Sequence, residues 1–297
     1  EPDPYRENQI PGTGARPQPT RENSTAMDRD HVCVIGRAVR AAQNDDVEVL
    51  WSSILAAESQ IVDLAGQRPG WDKTPRHVAA LSDIERFDPV FFEISPREAV
   101  GMDPRARLLL QEMWHALEDA SIGPDALRKS RVGVFVGVED GDYQFIENED
   151  RRVASNHTGA LAARLSYLLD LHGPVVATNT ACSSGLVALH QAAASLTAGE
   201  CDLAIVGAVN VLAHPATYDA MVSAGMLSRT GVCSAFSANA DGMVAGEAVA
   251  AVVLTRESWA VQTGRREYGV IVASGINYDG RTNGLTAPNG EAQRALE

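Results

Sequence analysis

The 297-residue chain is 45% hydrophobic and 22% charged, a globular composition long enough for one large domain or two small ones with a sizeable core. It contains no run of about 18 apolar residues that could form a spanning helix, so no membrane role is expected. Acidic residues outnumber basic ones 39 to 25, and a surface of that sign repels phosphate and argues against nucleic-acid binding.

Residues 1–28 hold Pro2, Pro4, Pro11, Pro17 and Pro19 among polar side chains and read as a disordered linker. They have neither the basic start nor the apolar stretch of a secretory signal. The chain is therefore expected to be cytoplasmic, and, as it does not begin with methionine, to be a piece of something longer. His31 to Gly36, a short apolar run closed by glycine, predicts a buried strand opening an α/β domain. Asp103-Pro104 is a helix start, with Asp as N-cap and Pro at the first position. Leu109, Leu110, Met113, Leu117 and Ala120 follow at helical spacing as far as Gly123-Pro124. Val132 to Gly137 predicts another buried strand, and Leu161, Leu165, Leu168 and Leu169 a helix that stops before Gly173-Pro174.

Val175 to Ala177 reads as a strand and Cys182 to Gly185 as a turn. Leu186, Leu189, Ala193 and Leu196 form a helix face closed by Gly199, and Leu203 to Val211 is a second apolar strand. This strand, helix, strand unit has the length that a parallel crossover needs. Downstream, Asp241-Gly242 and Gly246 bound a turn before a strand over Val249 to Leu254, and Tyr268 to Ser274 reads as a further strand. Asp279-Gly280, Asn283-Gly284 and Asn289-Gly290 punctuate a loop, after which a helix begins.

The four cysteines, at 33, 182, 201 and 233, form no Cys-x-x-Cys pair and no close Cys/His set, so neither a disulfide framework nor a metal site is expected. Cys33 and Cys201 lie in or beside apolar strands and read as core, and Cys233 as a loop thiol. Cys182 sits where a strand hands over to a helix, whose unpaired first-turn N–H groups favour a thiolate and could hold an oxyanion. Small neighbours, Thr180, Ala181, Ser183, Ser184 and Gly185, leave room for a substrate. Two readings stay open: a nucleophile, or a buried structural thiol. No histidine pairs with it by sequence reasoning. His190 is eight residues further along the same helix, about 12 Å away, and His115 shares a solvated face with Gln111, Glu112 and Glu118. His31, His77, His157, His172 and His214 sit at element ends or loops, where surface roles are expected.

Thr180-Ala-Cys-Ser-Ser-Gly-Leu-Val-Ala-Leu-His190 closely resembles the active-site motif of β-ketoacyl synthases, in the form found in modular polyketide synthases. Phe87 to Ala99 and Met102 to Leu110 look like the family's N-terminal signature. Gly199-Glu-Cys-Asp-Leu203, Ala240-Asp-Gly242 with Gly246-Glu247, and Asn277 to Gly290 agree in order. The resemblance runs from about Val32 to the last residue.

It implies a thiolase-like α/β fold, two similar halves around stacked mixed sheets, working as a homodimer. The implied division is residues 29–264 for the N-terminal half and 265–297 for the truncated start of the C-terminal half. It also implies that Cys182 takes an acyl chain from the phosphopantetheine thiol of an acyl carrier protein. A malonyl-type extender is then decarboxylated and condensed with it, and the domain itself binds no cofactor. The family's two catalytic histidines lie in motifs downstream of Ala287 to Gly290. Three departures stand out: Asn179 where aspartate is common, Ala245-Gly-Glu-Ala248 for Arg-Gly-Glu-Gly, and Arg37 to Gln43 for an Arg-Phe-Pro-Gly run. Asp241, Glu247, Asp279 and Asn283 match family positions, but turn chemistry accounts for their types. Arg128, Lys129 and Arg131, or Arg265 and Arg266, could meet an acidic carrier protein or simply be solvated. Two alternatives accompany this reading: a ketosynthase or fragment that does not elongate, and a cysteine hydrolase. The hydrolase elbow wants glycine where Thr180 and Ser184 stand.

Overall fold

Strands that are covered on both faces read as unbroken apolar runs, and the central sheet of this protein is covered on both faces. The computed structural model describes residues 30–146, 156–284 and 286–297. The stretch read as a linker, residues 1–28, lies outside them.

The elements in order begin with strand β1 (Val32–Ala41), helix α1 (Val47–Leu55) and the short strands β2 (Val62–Asp63) and β3 (His77–Ala79). Helices α2 (Pro96–Gly101), α3 (Pro104–Asp119) and α4 (Pro124–Arg128) lead to β4 (Val132–Gly137), and a 3-10 turn spans Asp142–Phe145. Then come α5 (Thr158–Leu168), β5 (Val175–Thr178), α6 (Ser184–Thr197), β6 (Leu203–Asn210) and α7 (Pro215–Ser223). The chain closes with β7 (Ala245–Gly246), β8 (Ala248–Arg256), α8 (Glu257–Thr263), β9 (Gly269–Ile271) and α9 (Gly290–Leu296).

Six strands form one mixed sheet in the order β5-β4-β6-β8-β1-β9. β4, β5 and β6 are mutually parallel, while β8 runs antiparallel to both β6 and β1. The expected crossover exists, and its two strands are not neighbours: β5 and β6 flank β4, so α6 passes over that strand.

Period-two alternation divides the strand residues between two cores. Val132, Val134 and Val136 of β4, with Leu203 and Ile205 of β6 and Val253 of β8, cluster with Leu108, Leu109, Met113 and Leu117 of α3 and Leu165 of α5. Phe135, Ala204, Val206 and Leu254, the intervening residues, cluster with Ala188, Ala192 and Leu196 of α6. The result is a three-layer α/β arrangement, the class expected from the sequence.

One start signal and one stop signal hold as predicted. Asp103 caps α3 by accepting from the Arg105 N–H with Pro104 at the first position, and Gly199 leaves α6 with φ +70. The expected strand over Tyr268 to Ser274 is only Gly269–Ile271, paired to the outer edge of β1.

A second, three-stranded sheet, β2-β3-β7, is absent from the sequence reading. Its own small core contains Leu64, Trp71, Val78, Leu212 and Tyr218. It is joined to the main sheet by Glu247, between β7 and β8, whose carboxylate is wholly buried against Arg68. Glu247 also accepts from the Leu81 and Leu212 N–H groups at 2.8 and 2.7 Å. Turn chemistry was the expected reason for this residue type; an ion pair joining three segments is the observed one.

Candidate active site

Cys182 is exposed, which removes the buried structural thiol as a reading of it, whereas Cys33 and Cys201 are buried as expected. It lies on the turn between β5 and α6, immediately before Ser183, the N-cap of that helix. The Ser183 side chain makes no capping hydrogen bond. The first-turn amides of a 14-residue helix therefore face the turn that carries the sulfur.

The turn is held by its own small polar side chains. The Ala181 N–H donates to Asn179 Oδ1 at 3.1 Å, and the Thr180 N–H donates to Ser184 Oγ at 2.9 Å. Ser184 Oγ in turn donates to the Ala181 carbonyl at 2.6 Å, and that carbonyl also accepts from the Ser184 N–H at 3.0 Å. Ser183 Oγ lies 2.8 Å from the Thr180 carbonyl and 2.9 Å from its hydroxyl. Asn179, a departure from the family's usual aspartate, keeps the same kind of acceptor in place.

These bonds hold Ala181 at φ +56, a left-handed conformation that costs a residue with a Cβ about 1–2 kcal/mol. The strained position is one residue before the cysteine, so the backbone kinks just ahead of the sulfur.

The helix start is set close against the neighbouring strand. A Cβ on Gly137, the last residue of β4, would lie 2.3 Å from the Ser184 carbonyl carbon and 2.4 Å from the Gly185 nitrogen. Only glycine permits this approach. On the far side, Thr178 Oγ1 donates to Gln191 Oε1 at 2.7 Å, tying the end of β5 to the middle of α6.

Other residues singled out in the sequence fall elsewhere. His190 Nδ1 is 2.9 Å from Ser274 Oγ, a link from α6 to the segment after β9. His115 is exposed, but its partner Glu112 at 3.2 Å is buried rather than solvated, and that hydrogen bond raises the His115 pKa. His157 and His214 are helix caps rather than plain surface groups, each accepting a backbone N–H at 3.2 Å. The exposed Asp241 carboxylate accepts from the Arg229 N–H at 3.1 Å and, beside the Ser228 hydroxyl, is held below the usual carboxylate range. Asp279 contributes its carbonyl to Asn289 Nδ2, and Asn283 is exposed.

The basic residues do not form one free patch. Arg128 pairs with Asp125 at 2.5 Å and Arg131 with Asp202 at 3.1 Å. Arg265 donates to the Ala120 and Ser121 carbonyls, and Arg266 lies over the Tyr268 ring. Lys129 is exposed. Among the described residues no helix is long and apolar enough to cross a membrane.

Ser184 and Gly137 were missed by sequence reasoning as parts of the site. Ser184 was noted for its small size, and as standing where a hydrolase elbow wants glycine, but not for its hydrogen bonds. The signal that could have found Gly137 is a strand ending in glycine opposite a helix start rich in small residues.

The family model for the β-ketoacyl synthase N-terminal domain matches residues 29–260, and the chain belongs to that family. It is 42% identical over 288 residues to polyketide synthase PksM of Bacillus subtilis, covering 94% of this chain and 7% of that protein. It is 48% identical over 271 residues to polyketide synthase ThaG of Burkholderia thailandensis, covering 89% of this chain and 5% of that protein. Among solved structures it is similar to the ketosynthase from module 6 of the bacillaene synthase of Bacillus subtilis. That match has a TM-score of 0.84 and 39% identity, over 90% of this chain and 47% of that one. The oxazolomycin ketosynthase domain OzmH KS7 of Streptomyces albus also gives 0.84, with 35% identity over 90% of this chain and 50% of that one. The fold is thus the thiolase-like one of polyketide synthase ketosynthases, and the chain spans about half the length of the solved domains and a small fraction of the curated relatives.

Proposed function

We propose that Cys182 is the acylated nucleophile of a polyketide ketosynthase. The observation that carries this reading is the exposed thiol on a hydrogen-bonded turn at the uncapped start of α6, inside the region that matches the family. The thiolate attacks the carbonyl of an acyl chain held as a thioester on the phosphopantetheine of an acyl carrier protein. An acyl-cysteine forms and the carrier thiol leaves. The helix-start amides are suited to the negative charge that gathers on the carbonyl oxygen during that attack.

In the complete domain the acyl-cysteine is the electrophile of a decarboxylative condensation. A malonyl-type extender loses carbon dioxide, its carbanion attacks the acyl carbonyl, the Cys182 thiolate leaves, and a β-ketoacyl thioester results. The activity is therefore that of an acyltransferase of the 3-oxoacyl synthase type. Residues 29–264 form the N-terminal half in this reading, and 265–297 open the next half. The strained residue of the turn is Ala181 and not the nucleophile, which further separates this site from a hydrolase elbow.

Two further parts of the reading have physical support. Among the described residues β5 is an edge strand with exposed Val175, a surface suited to pairing with a second copy in a homodimer. A working thiol needs a reducing compartment, as a cytoplasmic location supplies.

The test is Cys182→Ala in the complete domain, assayed with an acyl-loaded carrier protein. Loss of acyl transfer to the protein is expected, with folding unchanged. Continued acylation of the variant would remove Cys182 from the role.

A further inference from the structure

Ser184 makes three hydrogen bonds within the turn that carries the thiol, and all three reach the two residues that precede it. We infer that Ser184 is a positioning residue: its buried hydroxyl locks the left-handed Ala181 and thereby aims the Cys182 sulfur. The inference rests on the reading of Cys182 as the acylated nucleophile.

The geometry is specific. The hydroxyl accepts from the Thr180 N–H and donates to the Ala181 carbonyl, so it brackets the backbone of residues 180 and 181 from both ends. The Ala181 carbonyl belongs to the peptide plane that also carries the Cys182 nitrogen. That plane is fixed twice, by the Ser184 hydroxyl and by the Ser184 N–H. With φ fixed at Ala181 and this plane fixed at its carbonyl, little freedom remains in where the Cys182 Cα sits.

Ser184 is itself immobile. It is 4% exposed, and its backbone abuts Gly137 at the end of β4. The chain of constraint runs from the sheet, through Gly137 and Ser184, to Ala181 and the sulfur.

A serine at the first helical position has a plainer role, that of a residue that merely starts a helix. Here the N-cap is Ser183, and the Ser184 hydroxyl bonds backward into the turn rather than forward into the helix. Without it, the Thr180 N–H loses its acceptor and the Ala181 carbonyl keeps only the Ser184 N–H, which weakens the hold on a backbone conformation that is costly for alanine.

The four cysteines make the experiment self-controlled. In the synthase polypeptide that carries this chain, alkylation by iodoacetamide is followed at each cysteine by peptide mapping. Cys233 is an exposed reference, and Cys33 and Cys201 report on the fold because they are buried. In the unmodified protein Cys182 should react faster than Cys233.

Ser184→Ala is expected to slow Cys182 by up to about a hundredfold, the cost of a misplacement of about 1 Å, with Cys233 unchanged and Cys33 and Cys201 still protected. Adding Ala181→Gly removes the cost of the left-handed backbone and is expected to restore most of the rate. A Ser184→Ala protein whose Cys182 keeps its rate overturns the positioning role and leaves the nucleophile intact. A slowed Cys182 with Cys33 and Cys201 newly reactive, and no recovery with glycine at 181, assigns Ser184 to structure alone and also overturns it. An unmodified Cys182 no faster than Cys233 counts against the nucleophile itself, and the positioning role falls with it.

Discussion

Arg68 grips Glu247 with both terminal guanidinium nitrogens, at 2.5 and 2.8 Å, although 179 positions separate them in sequence. Their side chains are 8% and 0% exposed, and Arg68 also donates to the Leu81 and Leu212 carbonyls. Removing one partner leaves a buried charge uncompensated, at a cost of about 3–5 kcal/mol. Glu247→Gln and Arg68→Met are each expected to lower the unfolding free energy read from urea denaturation by that amount, and Arg68→Met with Glu247→Leu to recover part of it. A double variant no better than the worse single one would contradict the assignment.

Gly137→Ala tests the seat of the helix. The added methyl has no room beside the Ser184 and Gly185 backbone, so α6 must shift, and overpacking of this kind costs about 1–3 kcal/mol. The melting temperature should fall, and Cys182 should lose alkylation rate while Cys33 and Cys201 stay protected. A neutral substitution would mean that the helix start is not held there.

Alkaline stability should report on Cys33. Burial, reinforced by Glu267 and Glu257, pushes its thiol up to about 12, against about 8.5 for an unfolded cysteine. Below the unfolded value both states are protonated and the contribution to stability is complete. Above it the unfolded chain ionises first, so stability is lost by at most about 1.4 kcal/mol per pH unit until the folded thiol titrates near 12. Cys33→Val should flatten this limb in denaturation curves measured from pH 8 to 11. Parallel curves for the two proteins would exclude the thiol as the cause.

The 297-residue chain produced alone is expected to self-associate. Leu186, Val272 and Tyr278 are 75%, 80% and 74% exposed, in a chain that spans about half of the solved ketosynthase domains it resembles. Light scattering should show large species that shrink when the rest of a ketosynthase domain is supplied as a second chain. A monodisperse monomer that melts cooperatively would contradict this.

The parts of the fold legible in the sequence are those with local signals. Asp103-Pro104 marks α3, Val132 to Gly137 is β4 to the residue, and Gly199 ends α6. Helix α7 had a readable start as well, since Pro215 follows a histidine that caps it, but histidine is an unusual cap and was read as a loop residue. The second sheet was illegible because β2 and β7 are two residues each, too short for any periodicity. The site divides in the same way. The place of Cys182 between strand and helix was legible, but that place left the nucleophile and the buried-thiol readings open, and only the family resemblance chose between them; the left-handed Ala181 was not legible, because alanine gives no sign of such a backbone. The Arg68 to Glu247 pair joins segments that no local pattern relates.

The parallel strands β4, β5 and β6 all end at one edge of the sheet, so their exit loops share a rim with the cysteine turn. Two of these loops are fastened together: Asp142, after β4, accepts from the Ala213 N–H, after β6, at 3.0 Å. For anyone recombining ketosynthases, the sheet beneath is a chassis and the rim its exchangeable part. The stitch at Asp142 means that the segments near 138–146 and 211–217 must be transplanted as a matched set, while the turn at 179–185 can travel by itself provided that residue 137 stays glycine.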